Sequence, residues 1–252
     1  MNICLFSADE IEKPLNKKDE RAQHILKILH KNIGDFFHAG IIDKKAGEAQ
    51  ITAITESSIE YKFIPQTDGK PLFPLIMIIG FPRPIQLKRL LRDIAALGVQ
   101  EVHLTATELG EKSYMQSNLV EHGTAYEMLL DGTVQAASTH VPKLFLHKNF
   151  SECIKTVKNS HPENSIKLCL DNVSPKASLP QILEETKMQN CKESKKTYIA
   201  AIGSERGWTN KERSFMQENG FTLCSMGSRI MRTETAATVS ASIICASAGW
   251  MN

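Results

Sequence analysis

LIMIIGFPRPIQLKRLLRDIAALGVQEVHLTAT, residues 75–107, decides the fold. It opens on LIMIIGF, a continuous apolar run of the length and composition of a strand buried on both faces. The following PIQLKRLLRDIAALG places Leu87, Leu90, Leu91, Ile94 and Leu97 on one helical face, and Gly98 ends it. EVHLTAT then returns to a strand pattern. A buried strand, an amphipathic helix and a second strand make a βαβ unit, which requires a parallel pair with the helix packed across it.

The alternation continues toward the C-terminus. A helix within 119–137 precedes the strand VPKLFLH, a helix near 149–159 precedes SIKLCL, and a helix near 178–189 precedes TYIAAIG. A helix near 210–219, the strand FTLCS and a last helix from about Glu234 complete the series. This is an α/β chain with a mostly parallel sheet covered on both faces. Toward the N-terminus the pattern differs. MNICLFS, FFHAGIID, QITAITES and IEYKFIP are short β runs, interrupted by the helical RAQHILKILHK, in which Ile25, Ile28 and Leu29 share a face and after which Gly34 reverses the chain. Such a segment suits a small barrel. Gly, Pro and polar residues concentrate in QTDGKPLFP, residues 66–74, and place the domain boundary there, giving domains 1–70 and 71–252.

Composition excludes several classes. With 252 residues, 42% hydrophobic and 23% charged, the chain is neither disordered nor collagen-like. Its longest apolar stretch, Leu75 to Phe81, is far shorter than the roughly 20 residues of a membrane-spanning helix. MNICLFSADE lacks a basic run ahead of an apolar segment, so a cytoplasmic protein is expected. Cys4, Cys153, Cys169, Cys191, Cys224 and Cys245 form no CxxC pair and have no cluster of histidines near them in the sequence, so neither a zinc site nor a disulfide framework is expected. Cys169 and Cys224 sit in apolar runs, as small hydrophobes do. The net charge of +2 leaves any electropositive surface local.

Ligands of parallel sheets bind beyond the carboxyl ends of the strands, which directs attention to the turns after Gly203 and Ser225. The first, IGSERGWTNKER, sets Gly203 and Gly207 around Glu205 and Arg206, and its Thr209 and Glu212 have capping-box spacing. It matches neither the phosphate-binding GxxxxGK[ST] pattern nor GxGxxG. The second, SMGSRIMRTETAATVSASIICASAG, carries Gly227, Arg229 and Arg232 ahead of a helix of Ala, Ser, Thr, Val and Ile, whose small side chains imply close packing. On its own pattern Arg232 is a surface charge or a partner of Glu234.

Taken together, IGSERG at 202–207 and MGSRIMRTETA at 226–236 resemble the two cofactor loops of SPOUT-class methyltransferases, most closely the RsmE family. HILKILHKNIGD at 24–35 and AALG at 95–98 add to the likeness. The resemblance implies a PUA-like N-terminal β-barrel, a SPOUT domain with a deep trefoil knot, a homodimer, and methylation of uridine N3 in 16S ribosomal RNA with S-adenosylmethionine as donor. No metal is implied. Carried over residue by residue, the cofactor contacts are Leu170, Ile202, Gly203, Glu205, Gly207, Leu223, Met226, Gly227, Ile230, Met231 and Thr235. Arg232 would stabilise charge on the acceptor, with Glu234 orienting it or assisting proton removal. RNA contacts would come from Lys17, Arg21, His24 and Lys27, from Lys88 and Arg92, and from Arg206.

The chain departs from the family at several positions. Ser204 and Arg206 stand for Pro and Gly, so a positive φ at 206 would strain the loop. Ala96 and Ser138 stand where Glu and Arg are usual. These changes leave two alternatives: a non-catalytic RNA-binding or ribosome-assembly factor, and a paralogue acting on another base.

Overall fold

A computed structural model describes residues 2–115, 123–189 and 196–251, arranged as two compact units. Residues 119–122 of the helix expected within 119–137, Cys191, and most of the polar MQNCKESKKT segment lie outside the described residues.

The first unit comprises Met1–Leu72 together with Leu130–Val141. The sequence boundary near residue 70 did not anticipate this second piece. Its attachment is local and polar: the Thr139 hydroxyl donates to the Lys44 carbonyl at 2.8 Å, and the Val141 N–H to the Asp43 carboxylate at 2.9 Å. Five strands, β1 (Cys4–Phe6), β2 (Leu15–Asn16), β3 (Phe36–Ile41), β4 (Ala46–Ile54) and β5 (Ser58–Thr67), form a sheet in the order β1-β3-β4-β5-β2. Alternation along β3 and β4 turns Phe37, Ala39, Ala49 and Ile51 into a core with Phe6, Ile25 and Ile59.

Helix α1 (Glu20–Gln23) is capped by Asp19 and runs into a π turn over His24–Ile28. There Leu29 N–H bonds to the His24 carbonyl, five residues back, at 2.9 Å. The expected shared face of Ile25, Ile28 and Leu29 therefore fails: Ile25 is buried, whereas Ile28 is 65% and Leu29 41% exposed. Their spacing presumes 3.6 residues per turn, and the wider turn rotates the later two outward.

The second unit, Phe73–Leu129 and Pro142–Asn252, is α/β. Strands β6 (Phe73–Gly80), β7 (Val99–Thr105), β8 (Lys143–His147), β9 (Ile166–Leu170), β10 (Ala177–Ser178), β11 (Tyr198–Ile202) and β12 (Thr222–Ser225) form one parallel sheet in the order β10-β12-β9-β11-β6-β7-β8. Its helices are α2 (Pro84–Ala96), α3 (Lys112–Met115), α4 (Thr124–Gln135, of which residues 130–135 belong to the first unit), α5 (Phe150–Ser160), α6 (Leu179–Gln189), α7 (Asn210–Glu218) and α8 (Thr233–Ser247). The short α3, β2 and β10 were too brief to show a period.

Helix α2 starts on Pro84, where a missing N–H costs nothing, and buries Leu87, Leu90, Leu91 and Ile94. Each such burial contributes about 1.5–3 kcal/mol. On one sheet face Phe150, Ile154 and Val157 of α5 and Met216 of α7 pack on Ile76, Ile78, Cys169, Ile199 and Ala201. Helix α8 packs against α2, α6, β6 and β11. Its Ala237, Ser240, Ala241, Ile244 and Cys245 are buried, which is the close packing its small residues imply. Among the described residues no helix is long and apolar enough to cross a membrane.

Candidate functional site

Strand register brings the two glycine-bearing loops together. Leu170 of β9 pairs with Ile202 of β11 and with Cys224 of β12, so three strands end abreast and their loops leave the sheet side by side. Between these loops lies a cleft of about 260 Å³. Leu170, Ile202, Gly203, Glu205, Gly207, Met226, Gly227, Ile230 and Met231 line it, all from the expected cofactor set. Asp171, Arg206, Trp208 and Arg229 also contribute.

The first loop is held by its own backbone and by a tryptophan. Gly207 N–H donates to the Ser204 carbonyl at 2.8 Å, and the turn closes because Gly207 takes φ +72°, which side-chain-bearing residues rarely adopt. Trp208 Nε1–H then donates to the Leu170 carbonyl at 3.0 Å, while its ring packs on Phe150. The Thr233 hydroxyl, at the start of α8, donates to the Gly203 carbonyl at 3.3 Å and ties the second loop to the first. Gly80, at the end of β6, lets this happen: a Cβ there would lie 2.5 Å from Ser204 N.

Behind the loop, Thr209 and Glu212 form the expected capping box. Glu212 also accepts the Glu108 N–H at 2.9 Å. The Asp171 carboxylate accepts from Arg213 Nε at 3.0 Å and Ser174 N–H at 2.8 Å, fixing the turn after β9. Cys169 and Cys224 are buried, and burial pushes the Cys224 thiol up to about 12, so these cysteines act as small hydrophobes.

Several expected site residues fall elsewhere. Leu223 is buried in β12 within the sheet core and does not line the cleft. Thr235 is exposed on the first turn of α8. Arg232 is the exposed N-cap residue of α8, and no described carboxylate pairs with it, so the Glu234 ion pair is absent. Glu234 is buried in the first turn, outside the cleft lining. Arg206 is exposed and does not take a positive φ; the left-handed residue is Gly207, so the expected strain is absent.

Of the expected RNA contacts, Arg21 is turned inward. It bonds Asp19 at 2.8 Å, Glu10 at 3.3 Å and the Leu5 carbonyl, and stacks over Phe6. Lys27, Lys88 and Arg92 are exposed, and Lys17 is half-buried. His24 Nε2 is buried and has no hydrogen-bond partner among the described residues.

Sequence reasoning missed Arg83 and Tyr114. They line a cavity of about 140 Å³ that shares Ser204, Glu205 and Arg206 with the cleft. Arg83 Nε lies 3.3 Å from the Glu205 carboxylate, and the Tyr114 hydroxyl, with Glu205, holds the guanidinium above its ordinary pKa. The signal was FPRP, an arginine just past a buried strand. A larger cavity, about 850 Å³, lies by Asn149, Phe150, Lys211 and Phe215. Its polar caps are already engaged, with Asn149 accepting the Glu152 N–H and Glu212 bonded as above, so the smaller cleft is the better candidate.

The sequence match sets the chain in the RNA methyltransferase class. A family model described as RNA methyltransferase domain matches residues 69–245. The chain is 36% identical to the ribosomal RNA small subunit methyltransferase E of Treponema pallidum over 98% of this chain and 92% of that one. The fold is shared with a probable rRNA-methyltransferase from Porphyromonas gingivalis (TM-score 0.77, 20% identity, 99% and 100% of the two chains). It is also shared with ribosomal RNA small subunit methyltransferase E from Neisseria gonorrhoeae, solved bound to S-adenosyl methionine (TM-score 0.71, 18% identity, 98% and 97%). The chain belongs to the ribosomal RNA small subunit methyltransferase E family. That makes it an rRNA methyltransferase, of a family whose methyl donor is S-adenosylmethionine.

Proposed function

We propose that the chain methylates N3 of a uridine in small-subunit ribosomal RNA, and that the cleft between residues 203–207 and 226–231 holds the donor. The convergence of the two glycine-bearing loops on that cleft carries the reading. The residues fit an adenosyl group. Ile202, Ile230 and Met231 offer apolar surface, and Ser204 Oγ is a buried polar atom without a partner among the described residues. The Leu170 carbonyl already accepts from Trp208, which leaves the Leu170 side chain for packing.

Bound S-adenosylmethionine supplies an electrophilic methyl on a sulfonium. The protein must then present the acceptor and stabilise it. Loss of the N3 proton spreads negative charge over the two flanking carbonyl oxygens of uracil, and a guanidinium offers a planar fork of donors to them. Arg232 fills this role, one residue past cleft-lining Met231 and one before Thr233, whose hydroxyl is fixed on Gly203. The adjoining cavity of Arg83 and Tyr114 receives the base.

In the same reading the second unit is a SPOUT domain with a deep trefoil knot, and the first is a PUA-like RNA-binding barrel. The enzyme is a cytoplasmic homodimer. Ile230, 85% exposed at the mouth of the cleft, supports a partner subunit covering it. The unstrained backbone at Arg206 removes one ground for the non-catalytic alternative.

Incubation with unmodified small ribosomal subunits and labelled S-adenosylmethionine, followed by nucleoside analysis, tests the proposal. Label in N3-methyluridine is expected; label in another nucleoside, or none, contradicts it.

A further inference from the structure

The face of β7 and β8 covered by α5 holds a polar cluster that the cleft does not use. Strand alternation puts Glu101, His103 and Thr105 on one side of β7, and register sets Thr105 opposite His147 on β8. Helix α5 brings Cys153 from its second turn and ends beside His161. His103 is 1%, His147 6% and Cys153 0% exposed. An apolar face would pack here without the cost of burying three imidazoles and a carboxylate.

The groups form an ordered chain. Glu101 Oε2 lies 2.9 Å from His161 Nε2 and 3.3 Å from His103 Nε2. A carboxylate only accepts, so both of these nitrogens carry protons, and the His103 Nδ1 lone pair is directed away from Glu101. That Nδ1 lies 2.9 Å from His147 Nε2, with the two rings 11° from parallel. Ligand atoms of His103, His147 and Cys153 all lie within 4.8 Å of one another.

We propose that His103 Nδ1, His147 Nε2 and Cys153 Sγ form a site for a thiophilic d10 metal ion, Zn²⁺ or Cu⁺. Imidazole with thiolate is the donor set such ions favour. Glu101 completes a carboxylate–histidine–metal arrangement by holding the far nitrogen of His103, and His161 holds Glu101. Two nitrogens about 2.0–2.1 Å from a tetrahedral ion stand about 3.3–3.4 Å apart, so on loading the nitrogens part by roughly half an ångström and the two rings, which face each other end to end without metal, turn until both lone pairs meet at the ion. Cys153 gives up its thiol proton to solvent, and the His147 proton moves from Nε2 to Nδ1, leaving both lone pairs on the ion. No CxxC or HxxxH spacing announces the site because its ligands come from two strands and a helix.

The full chain, unfolded in urea, stripped with chelator and refolded with one equivalent of Co²⁺ as the zinc probe or of Cu⁺ under reductant, tests the site. One retained ion per chain is expected after gel filtration. Uptake in the cobalt arm alone identifies the zinc class, and uptake in the copper arm alone identifies the cuprous. The cobalt form is expected to show thiolate-to-cobalt charge-transfer absorption. Cys153→Ala is expected to lose that band and at least tenfold of metal affinity, with unchanged circular dichroism and S-adenosylmethionine binding. His147→Gln provides a second variant with the same expectation for metal. Refolded wild-type chain that retains neither ion, or a folded Cys153→Ala or His147→Gln chain that retains metal as well as wild type, overturns the proposal.

Discussion

Replacing Gly80 by alanine probes the cleft from a residue that does not line it. The added methyl would lie 2.5 Å from Ser204 N and 2.9 Å from the Gly203 carbonyl carbon, about 0.9 Å and about 0.5 Å inside ordinary contact at 3.4 Å. Both neighbours are backbone, so neither rotates away; the loop must shift or β6 must bend. Overpacking of this kind costs roughly 1–3 kcal/mol. In a protein of this size that lowers the melting temperature by about 2–12 °C, at 2–4 °C per kcal/mol. β6 is paired with β11 on one side and β7 on the other, whereas the loop is tethered by single hydrogen bonds through Trp208 and Gly203, so most of the displacement falls on residues 203–204. A share of about 1.4 kcal/mol in the bound state is a tenfold loss of affinity. Calorimetry with S-adenosylmethionine on the folded variant reads it directly. Wild-type affinity in a folded Gly80→Ala chain would show that the position of this loop does not set cofactor binding.

Trp208→Phe leaves the buried Leu170 carbonyl without its donor, at about 1–3 kcal/mol, and is expected to lower thermal stability and cofactor affinity together; unchanged values for both would refute the anchoring role. Arg232→Ala is expected to keep S-adenosylmethionine affinity and lose most methyl transfer, measured with labelled donor and small subunits; full transfer would remove the residue from the mechanism. In the first unit, the hydrogen bond from Arg21 holds the Asp19 carboxyl below the usual carboxylate range, and the Ser7 N–H, then Arg21, do so for Glu10. Folded values below unfolded ones mean that this stabilisation is present above about pH 4 and is lost as pH falls through the folded values. Protection factors of the β1 and π-turn amides, taken against intrinsic exchange at each pH, should accordingly fall below about pH 4 in wild type and fall less in Arg21→Met, where only the Ser7 N–H still holds Glu10.

What the sequence makes legible is what period and local chemistry encode. The run 75–107 reads as strand, helix and strand because Leu87, Leu90, Leu91, Ile94 and Leu97 recur at helical spacing; the structure buries the first four and leaves Leu97, the C-cap of α2, half-buried. Strand register turns two separate glycine-bearing motifs into one cleft, which explains why the motif residues lie together there. Where a local rule was extended, it failed. The helical spacing of Ile25, Ile28 and Leu29 broke at a π turn, and the left-handed backbone expected at Arg206 belongs to Gly207, where it carries no strain. Arg83 had a local signal in FPRP, but its partner Glu205 did not, and Gly80 and the group of Glu101, His103, His147 and Cys153 were invisible because their roles depend on residues distant along the chain, which only the sheet order brings near.

A crystal structure with S-adenosylmethionine bound would show where the donor sits. The adenosyl group is expected between residues 203–207 and 226–231, against Ile202, Ile230 and Met231. Donor density in the cavity beside Phe150 and Phe215, or a cleft closed by protein in the loaded enzyme, would contradict it.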